Sequence, residues 1–407
     1  MKNKTKKKLY VGIDVHSREH RAAIIPIALL EQTNAAWKSV KTISIKNERD
    51  SFNYFEKTIR SQVLDPSEVV ISVDHTGGHY SEPIIFFLLS RGYEVYFLES
   101  KGIKAARATL LDQECKSDAI DSVSAAYMLY LRDTQGLSFR ISLMKYELGS
   151  MATVLTSLIL QRMQFIKLIT QATNRLHQLL IATFPEGEAR YFKKLLNIIT
   201  RYPTPQEIQN SNGLEGIKRI NLKDREIIIQ LATNSVGVPG DLYAWLIKEL
   251  GILRMDFISK REVIASMIRE HLDRHPYTEI LYSFPCFGEI AAATIIGIMK
   301  DINNWPNKKK FKKALGVYST VAQSGMKSRT KRGKEGSRHG RRVLFQVCLG
   351  CIREKVPDND FKDYYLRQVS NGKIRIKALV STMGKLAEII YHCLRTGELY
   401  EYQGIYR

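Results

Sequence analysis

Cysteine is scarce in this 407-residue chain and odd in number: five residues do not suggest the disulfide framework that staples small secreted domains. Two of them, Cys348 and Cys351, form a lone CxxC inside the apolar run from Val343 to Ile352. With no second ligand pair apparent, they read as buried helical thiols and not as half of a zinc site. No uninterrupted apolar run reaches the roughly 18 residues needed to span a bilayer. The basic stretch from Met1 to Lys8 is followed by no signal-type apolar segment and cleavage site, so a cytoplasmic location is expected. Internal repeats are absent, as is low complexity beyond that basic start. Acidic residues are the minority, 41 against 62 Lys and Arg, for a formal charge of +21. That imbalance points to a polyanionic partner, nucleic acid first and a membrane surface a distant second. The bland alternative is a cationic enzyme charged for solubility.

What is present is enough for a folded protein of two or three domains: 407 residues with 44% apolar content. The first third alternates in pattern. Strands are expected at 9–16, 21–27, 40–45, 69–74 and 94–98, with helices near 51–62, 80–91, 102–111 and 117–131, which argues for an α/β sheet covered by helices. From about Lys145 the period becomes helical, with Leu148, Met151, Leu155, Leu158, Ile159, Met163, Ile166, Ile169 and Leu176 on one stripe up to Phe184-Pro185. This is a long amphipathic helix, either a coiled coil or one helix of a bundle. A second helical region runs to about His275. The last third opens on Phe284-Pro285-Cys286-Phe287-Gly288 and an apolar helix over 290–299. The expected domains are therefore 1–144, 145–275 and 276–407.

Four carboxylates carry the chemistry. Asp14 and Asp74 end two predicted strands, where open α/β sheets place their ligands. Asp118 and Asp121, three residues apart, share one helix face. Clustered carboxylates repel, so they persist mainly where cations neutralise them, and hard oxygen ligands suit Mg²⁺ or Mn²⁺. Two such ions about 3.5–4 Å apart can activate an attacking oxygen and stabilise a leaving one. Asp74 has a structural alternative, capping the Thr76-Gly77-Gly78 turn. His16, His20, His75 and His79 lie nearby, but with no HExxH-type context they read as surface or core histidines. Farther on, the stretch from Gln323 to Lys334 is a basic Gly- and Ser-containing loop suited to cradle phosphate, with Lys327, Arg329, Lys331, Arg332, Arg338 and Arg341 as phosphate contacts. A solvated loop is the alternative. Ser324 within it is either a nucleophile or a phosphate hydrogen-bonder.

Together, Gly12-Ile13-Asp14-Val15, Asp74 to Tyr80, Lys116-Ser117-Asp118-Ala119-Ile120-Asp121, Phe284 to Gly288 and Gln323-Ser324-Gly325 resemble the DEDD-type insertion-sequence transposases, the bridge-RNA-guided recombinases. The resemblance covers nearly the whole chain in order. It implies a RuvC-like (RNase H-like) α/β N-terminal domain, a helical coiled-coil middle and a mainly α C-terminal transposase domain. It implies that Asp14, Asp74, Asp118 and Asp121 bind Mg²⁺ or Mn²⁺, and that Ser324 forms a phosphoserine link to cleaved double-stranded DNA, donor and target. It further implies a guide (bridge) RNA, a homo-oligomer, dimer or tetramer, with no membrane role, and a bacterial or archaeal cytoplasm near the nucleoid. Two departures stand out: Asp74 occupies a position usually held by Glu, with Glu82 and Glu99 as possible substitutes, and the usual Pro-Gly is here Pro285-Cys286-Phe287-Gly288.

The implied reaction needs the carboxylates and Ser324 at one phosphate, hence a composite site, with the long helix as a candidate dimer interface. Two rival readings remain. One is a RuvC-like metal-dependent nuclease that resolves branched DNA by water attack. The other is a non-catalytic nucleic-acid-binding scaffold.

Overall fold

The computed structural model describes residues 7–32, 40–74, 80–98, 102–103, 106–107, 117–135, 144–145, 151–324, 327–333 and 335–404, with the backbone alone for 144–145, 319–324 and 327–332. The chain divides into two compact units, residues 1–150 and 151–407. The predicted middle and last thirds thus lie within one unit.

The first unit is a mixed sheet of β1 (Leu9–Asp14), β2 (Glu19–Pro26), β3 (Thr42–Lys46), β4 (Val69–Asp74), β5 (Glu94–Leu98) and the two-residue β6 (Met144–Lys145). The order is β3-β2-β1-β4-β5-β6. β1 runs parallel to β4 and β4 to β5, while β2, β3 and β6 pair antiparallel. Each expected strand is present within a few residues of its predicted bounds. The helices are α1 (Ile27–Leu30), α2 (Arg49–Arg60), α3 (Glu82–Ser90) and α4 (Asp118–Gln135). The predicted helix over 102–111 falls mostly outside the described residues.

Strand alternation sorts the side chains between two layers. Leu9, Val11 and Ile13 of β1, with Val69, Ile71 and Val73 of β4, pack against Phe52, Phe55 and Ile59 of α2 and Ile84, Ile85 and Leu88 of α3. The intervening Tyr10 and Val70 pack against Val123, Ala126 and Leu129 of α4. By the same period of two, Gly12 and Asp14 in β1, and Ser72 and Asp74 in β4, belong to the face that α4 covers. Gly12 is where helix and strand come closest: a Cβ built there would lie 2.0 Å from Ser122 O, 2.5 Å from Ala126 N and 2.9 Å from Ala125 Cβ. The small residues Ser122, Ala125 and Ala126 complete this close approach, and all three are fully buried.

The second unit is built on two 33-residue helices, α5 (Met151–Thr183) and α9 (Asp241–Asp273), each about 50 Å long. They run antiparallel: Phe165 stacks on Phe257, and farther along α5 the Arg254 Nε donates to Thr173 Oγ1 at 3.0 Å. Between them in sequence come α6 (Pro185–Leu195), α7 (Pro205–Gln209) and α8 (Leu222–Thr233). These form a core with the end of α5 and the start of α9, including Leu176, Leu180, Leu195, Ile208, Ile228 and Ile247. In the middle of the pair no residue from 160 to 171 or from 252 to 263 is buried. By length and composition alone α5 is apolar enough to cross a membrane. It packs on α9 and on α11, where Thr156 Oγ1 donates to Gly297 O at 2.9 Å.

The rest of the unit comprises α10 (Thr278–Tyr282), α11 (Glu289–Met299), α12 (Lys308–Ala314), the hairpin β7 (Ser319–Ser324) and β8 (Lys327–Arg332), α13 (Arg338–Cys351), α14 (Asp360–Ser370) and α15 (Arg375–Thr396). Phe284, Phe361 and Tyr400 stack together. Cys348 and Cys351 are buried on α13, as expected. Cys286 takes the left-handed conformation at φ 59°, so the turn before α11 is kept without a glycine at that position.

Replacing Gly12 by alanine is expected to destabilise the first unit by about 1–3 kcal/mol, because the new methyl meets backbone atoms that cannot rotate away. Urea unfolding of the full chain, followed by far-UV circular dichroism, should show the transition that melts this unit moved to lower denaturant. An unchanged profile would mean that α4 and β1 are not held this close.

Candidate metal centre

The centre is assembled from three pieces of local structure. Asp14 is the last residue of β1, and Asp74 the last of β4. The parallel register places Ile13 beside Val73, so the two aspartates end adjacent strands. Asp118 and Asp121 stand in the first turn of α4, where carboxylates are favoured by the helix dipole. That turn is secured by Ser117, whose Oγ accepts from the Ile120 N–H at 3.2 Å and whose carbonyl accepts from the Asp121 N–H at 2.9 Å. The close packing at Gly12 brings this turn over the end of β1.

His16 completes the group. Its Nε2 lies 3.0 Å from Asp118 Oδ2 and 3.3 Å from Asp14 Oδ2. One ligand atom from each of Asp14, His16 and Asp118 falls within 4.8 Å of the other two. Yet Asp14 Oδ2 and His16 Nε2 are both buried without a hydrogen-bond partner among the described residues. The Asp14 side chain is only 8% exposed, against 50% for Asp118. Burial, ahead of every charge, pushes the Asp14 carboxyl from its ordinary 3.8 up to about 6. His16 pulls it down, while Asp118, Asp74 and Asp121 push it up, in that order. Buried, unpartnered carboxylate and imidazole atoms converging on one point fit a divalent cation, which supplies the neutralisation the protein does not.

Asp74 is buried and close enough to act on Asp14 electrostatically. Asp121 is differently placed: Arg107 Nη1 donates to its Oδ1 at 2.6 Å, and both side chains are about nine-tenths buried. Nothing in the sequence marked Arg107, and His16, read there as a surface or core histidine, belongs to the cluster. His20, grouped with His16 by sequence, is a core residue. It accepts the His16 N–H through Nδ1 at 3.3 Å and its Nε2 meets Asn47 Oδ1 at 2.9 Å. His75, His79, Glu99 and the Thr76-Gly77-Gly78 turn lie outside the described residues, and Glu82 is an exposed residue at the start of α3.

The basic segment departs from expectation. Residues 319–324 and 327–332 form a β-hairpin where a loop was expected, with Ser324 paired to Lys327. The β-branched Thr320, Val321 and Thr330 favour the extended chain over a loop. Arg338 and Arg341, expected as phosphate contacts, lie in the first turns of α13, which starts at Arg338 because Ser337 Oγ caps it by accepting from the Gly340 N–H. Arg341 Nε donates to Gly316 O at 2.9 Å, and Arg338 is exposed. The side chains of Ser324, Lys327, Arg329, Lys331 and Arg332 lie outside the description.

Aspartates ending two parallel strands, faced by acids from a covering helix, define an α/β protein that gathers carboxylates as a cation site. The family model DEDD_Tnp_IS110, a transposase, matches residues 11–185, and that of the transposase IS116/IS110/IS902 family matches residues 278–366. Together these span well over half of the chain, which belongs to the IS110-type transposases. An uncharacterized 44.8 kDa protein of insertion element IS116 from Streptomyces clavuligerus is 22% identical over 97% of this chain and 96% of its own. An uncharacterized 42 kDa protein of insertion element IS900 from Mycobacterium paratuberculosis is 22% identical over 83% of this chain and 86% of its own. Among solved structures, T. thermophilus RuvC in complex with Holliday junction substrate matches 34% of this chain and 99% of its own, at 9% identity and a TM-score of 0.23. The α/β assignment rests on the strand pairing, not on that likeness.

Asp14→Asn is expected to raise the melting temperature of the full chain in chelator at pH 7, by the equivalent of about 1–3 kcal/mol. The folded carboxyl titrates near 6, above its unfolded value. The stability of its neutral form is therefore complete below about 3.8 and is lost as pH rises through 6. The advantage of the asparagine should accordingly shrink toward pH 4. A difference independent of pH would exclude a buried, ionising Asp14.

Proposed function

We propose that this chain cuts and rejoins DNA for an insertion sequence, using a divalent cation at Asp14, Asp74, Asp118 and Asp121 and a covalent link through Ser324. The observation that carries the reading is the meeting of Asp14 and Asp118 around buried atoms without hydrogen-bond partners, in a chain of a transposase family. Asp14 and Asp118 hold the cation, Asp74 adds charge beside Asp14, and Arg107 fixes the orientation of Asp121. When bound, the cation supplies Lewis-acid stabilisation of the phosphate oxygens and of the leaving oxygen.

Ser324 attacks the phosphorus: its Oγ–P bond forms, the ester P–O bond to one strand breaks, and the leaving oxygen takes up a proton. The hydroxyl proton departs to solvent. Attack by a strand end on the phosphoserine reverses the link and joins DNA. Lys327, Arg329, Lys331, Arg332, Arg338 and Arg341 bind phosphates, in keeping with the net charge of +21. The N-terminal unit is RuvC-like in this reading. A guide RNA selects donor and target by base pairing, with the protein gripping shape and backbone. Copies of the chain assemble as a dimer or tetramer along the α5–α9 pair, whose middle exposes Leu160, Ile252, Leu253 and Met255.

With labelled DNA and Mg²⁺ or Mn²⁺, a denaturing gel should show a slow-migrating protein–DNA adduct that Ser324→Ala abolishes. Asp118→Asn should reduce cleavage by at least about 100-fold, the scale expected when a charge-stabilising group is lost from a transition state. Free nicked product with no adduct would favour water attack, and an adduct persisting in Ser324→Ala would place the nucleophile elsewhere.

A further inference from the structure

We infer that His16 is a nitrogen ligand of the cation, and that it makes the centre select Mn²⁺ over Mg²⁺. The inference rests on the reading that Asp14 and Asp118 hold a divalent ion. His16 has two other possible roles, as a surface residue or as an imidazolium that neutralises the two aspartates in place of a metal. A surface role is excluded by its Nε2, which is buried and turned between the carboxylates although the side chain as a whole is 42% exposed.

The counter-ion role fails on geometry. An imidazolium N–H aimed at Asp118 Oδ2, only 3.0 Å away, would make a strong charge-assisted hydrogen bond. No such bond forms, to Asp118 or to Asp14. The in-plane axis of Nε2 therefore passes beside both oxygens and not at either. Ligand atoms held about 2.1 Å from one shared ion and at right angles lie about 3.0 Å apart, each pointing past its neighbour at the ion. The separations of 3.0 and 3.3 Å and the missing hydrogen bonds both match that arrangement.

The backbone fixes the residue in this role. His16 follows the end of β1 by two positions, and its N–H is held by His20 Nδ1. His20 is in turn buried and anchored on Asn47. The chemical consequence follows from ligand type. Both ions take carboxylate, carbonyl and water oxygens, but Mg²⁺ demands near-ideal octahedral geometry and gives up its waters reluctantly. Mn²⁺ begins the first-row transition series, whose ions gain affinity from nitrogen donors, so one imidazole raises Mn²⁺ affinity relative to Mg²⁺.

The test uses the full chain, with no nucleic acid, loaded with Mn²⁺. Electron spin-echo envelope modulation should show coupling of the ion to a histidine nitrogen. In His16→Gln, which offers an amide oxygen instead, that coupling should vanish while Mn²⁺ stays bound. Competition titrations should show the preference for Mn²⁺ over Mg²⁺ falling by about 10-fold or more. His16→Asn serves as a second variant should the first unfold, with folding checked by circular dichroism. Bound Mn²⁺ without nitrogen coupling, or a preference unchanged in both variants, would overturn the role of His16 and leave the metal reading intact. Failure of wild type to bind Mn²⁺, with Asp118→Asn no different, would overturn both.

Discussion

The close approach of α4 to β1 at Gly12 is the constraint on which the acidic centre depends. A strand end and a helix start separated by about a hundred residues of sequence share no local coupling. What joins them is the absence of one side chain. Any Cβ at position 12 would overlap the backbone of Ser122 and Ala126, so the helix would have to lift away. Lifting would carry Asp118 off Asp14 and His16, since all lie near one end of the contact. Because the interior is close-packed, a shift of even a fraction of an ångström is resisted by Tyr10, Val70, Val123 and Leu129 on the same face. The geometry of the charges is thus set by apolar packing and not by the charges themselves, which repel.

Much of this was legible in the sequence, for identifiable reasons. The strands through Leu9–Asp14 and Val69–Asp74 are apolar, β-branched runs that end on a carboxylate, and both strand and acid are found there. The helix beginning near Ser117 was marked by the spacing of Asp118 and Asp121, and the structure adds the capping hydroxyl of Ser117. His16 was missed because histidines were weighed for helical metal motifs, a pattern that does not apply just past a strand. The usable signal was simpler: in extended chain, a residue two beyond Asp14 shares its side. Arg107 gave no signal at all, since a pairing across 14 residues of sequence has no period. The hairpin of residues 319–332 was hidden by its Lys, Ser and Arg content, which reads as loop until the two strands are paired with each other. The antiparallel partner of α5 was likewise unreadable, because periodicity defines a stripe on a helix but not what covers it.

The four aspartates are electrostatically unequal, and this asymmetry bears on how such a centre can exist without its cation. Asp121 has its own counter-charge in Arg107, and breaking a buried pair of this kind leaves an uncompensated charge at a cost of about 3–5 kcal/mol. It is therefore secured whether or not an ion is bound. Asp118 is half-exposed, so water screens it. Asp14 has neither remedy: it is buried, unpartnered at Oδ2 and surrounded by three other acids, which is why its carboxyl holds its proton well into the range where carboxylates are usually ionised. The demand for a cation is concentrated on that one oxygen. In the proposed reading the ion that answers it sits where Asp14 Oδ2, Asp118 Oδ2 and His16 Nε2 converge. In that reading binding of the ion and ionisation of Asp14 are one event, and the packing at Gly12 holds the partners in position before it occurs.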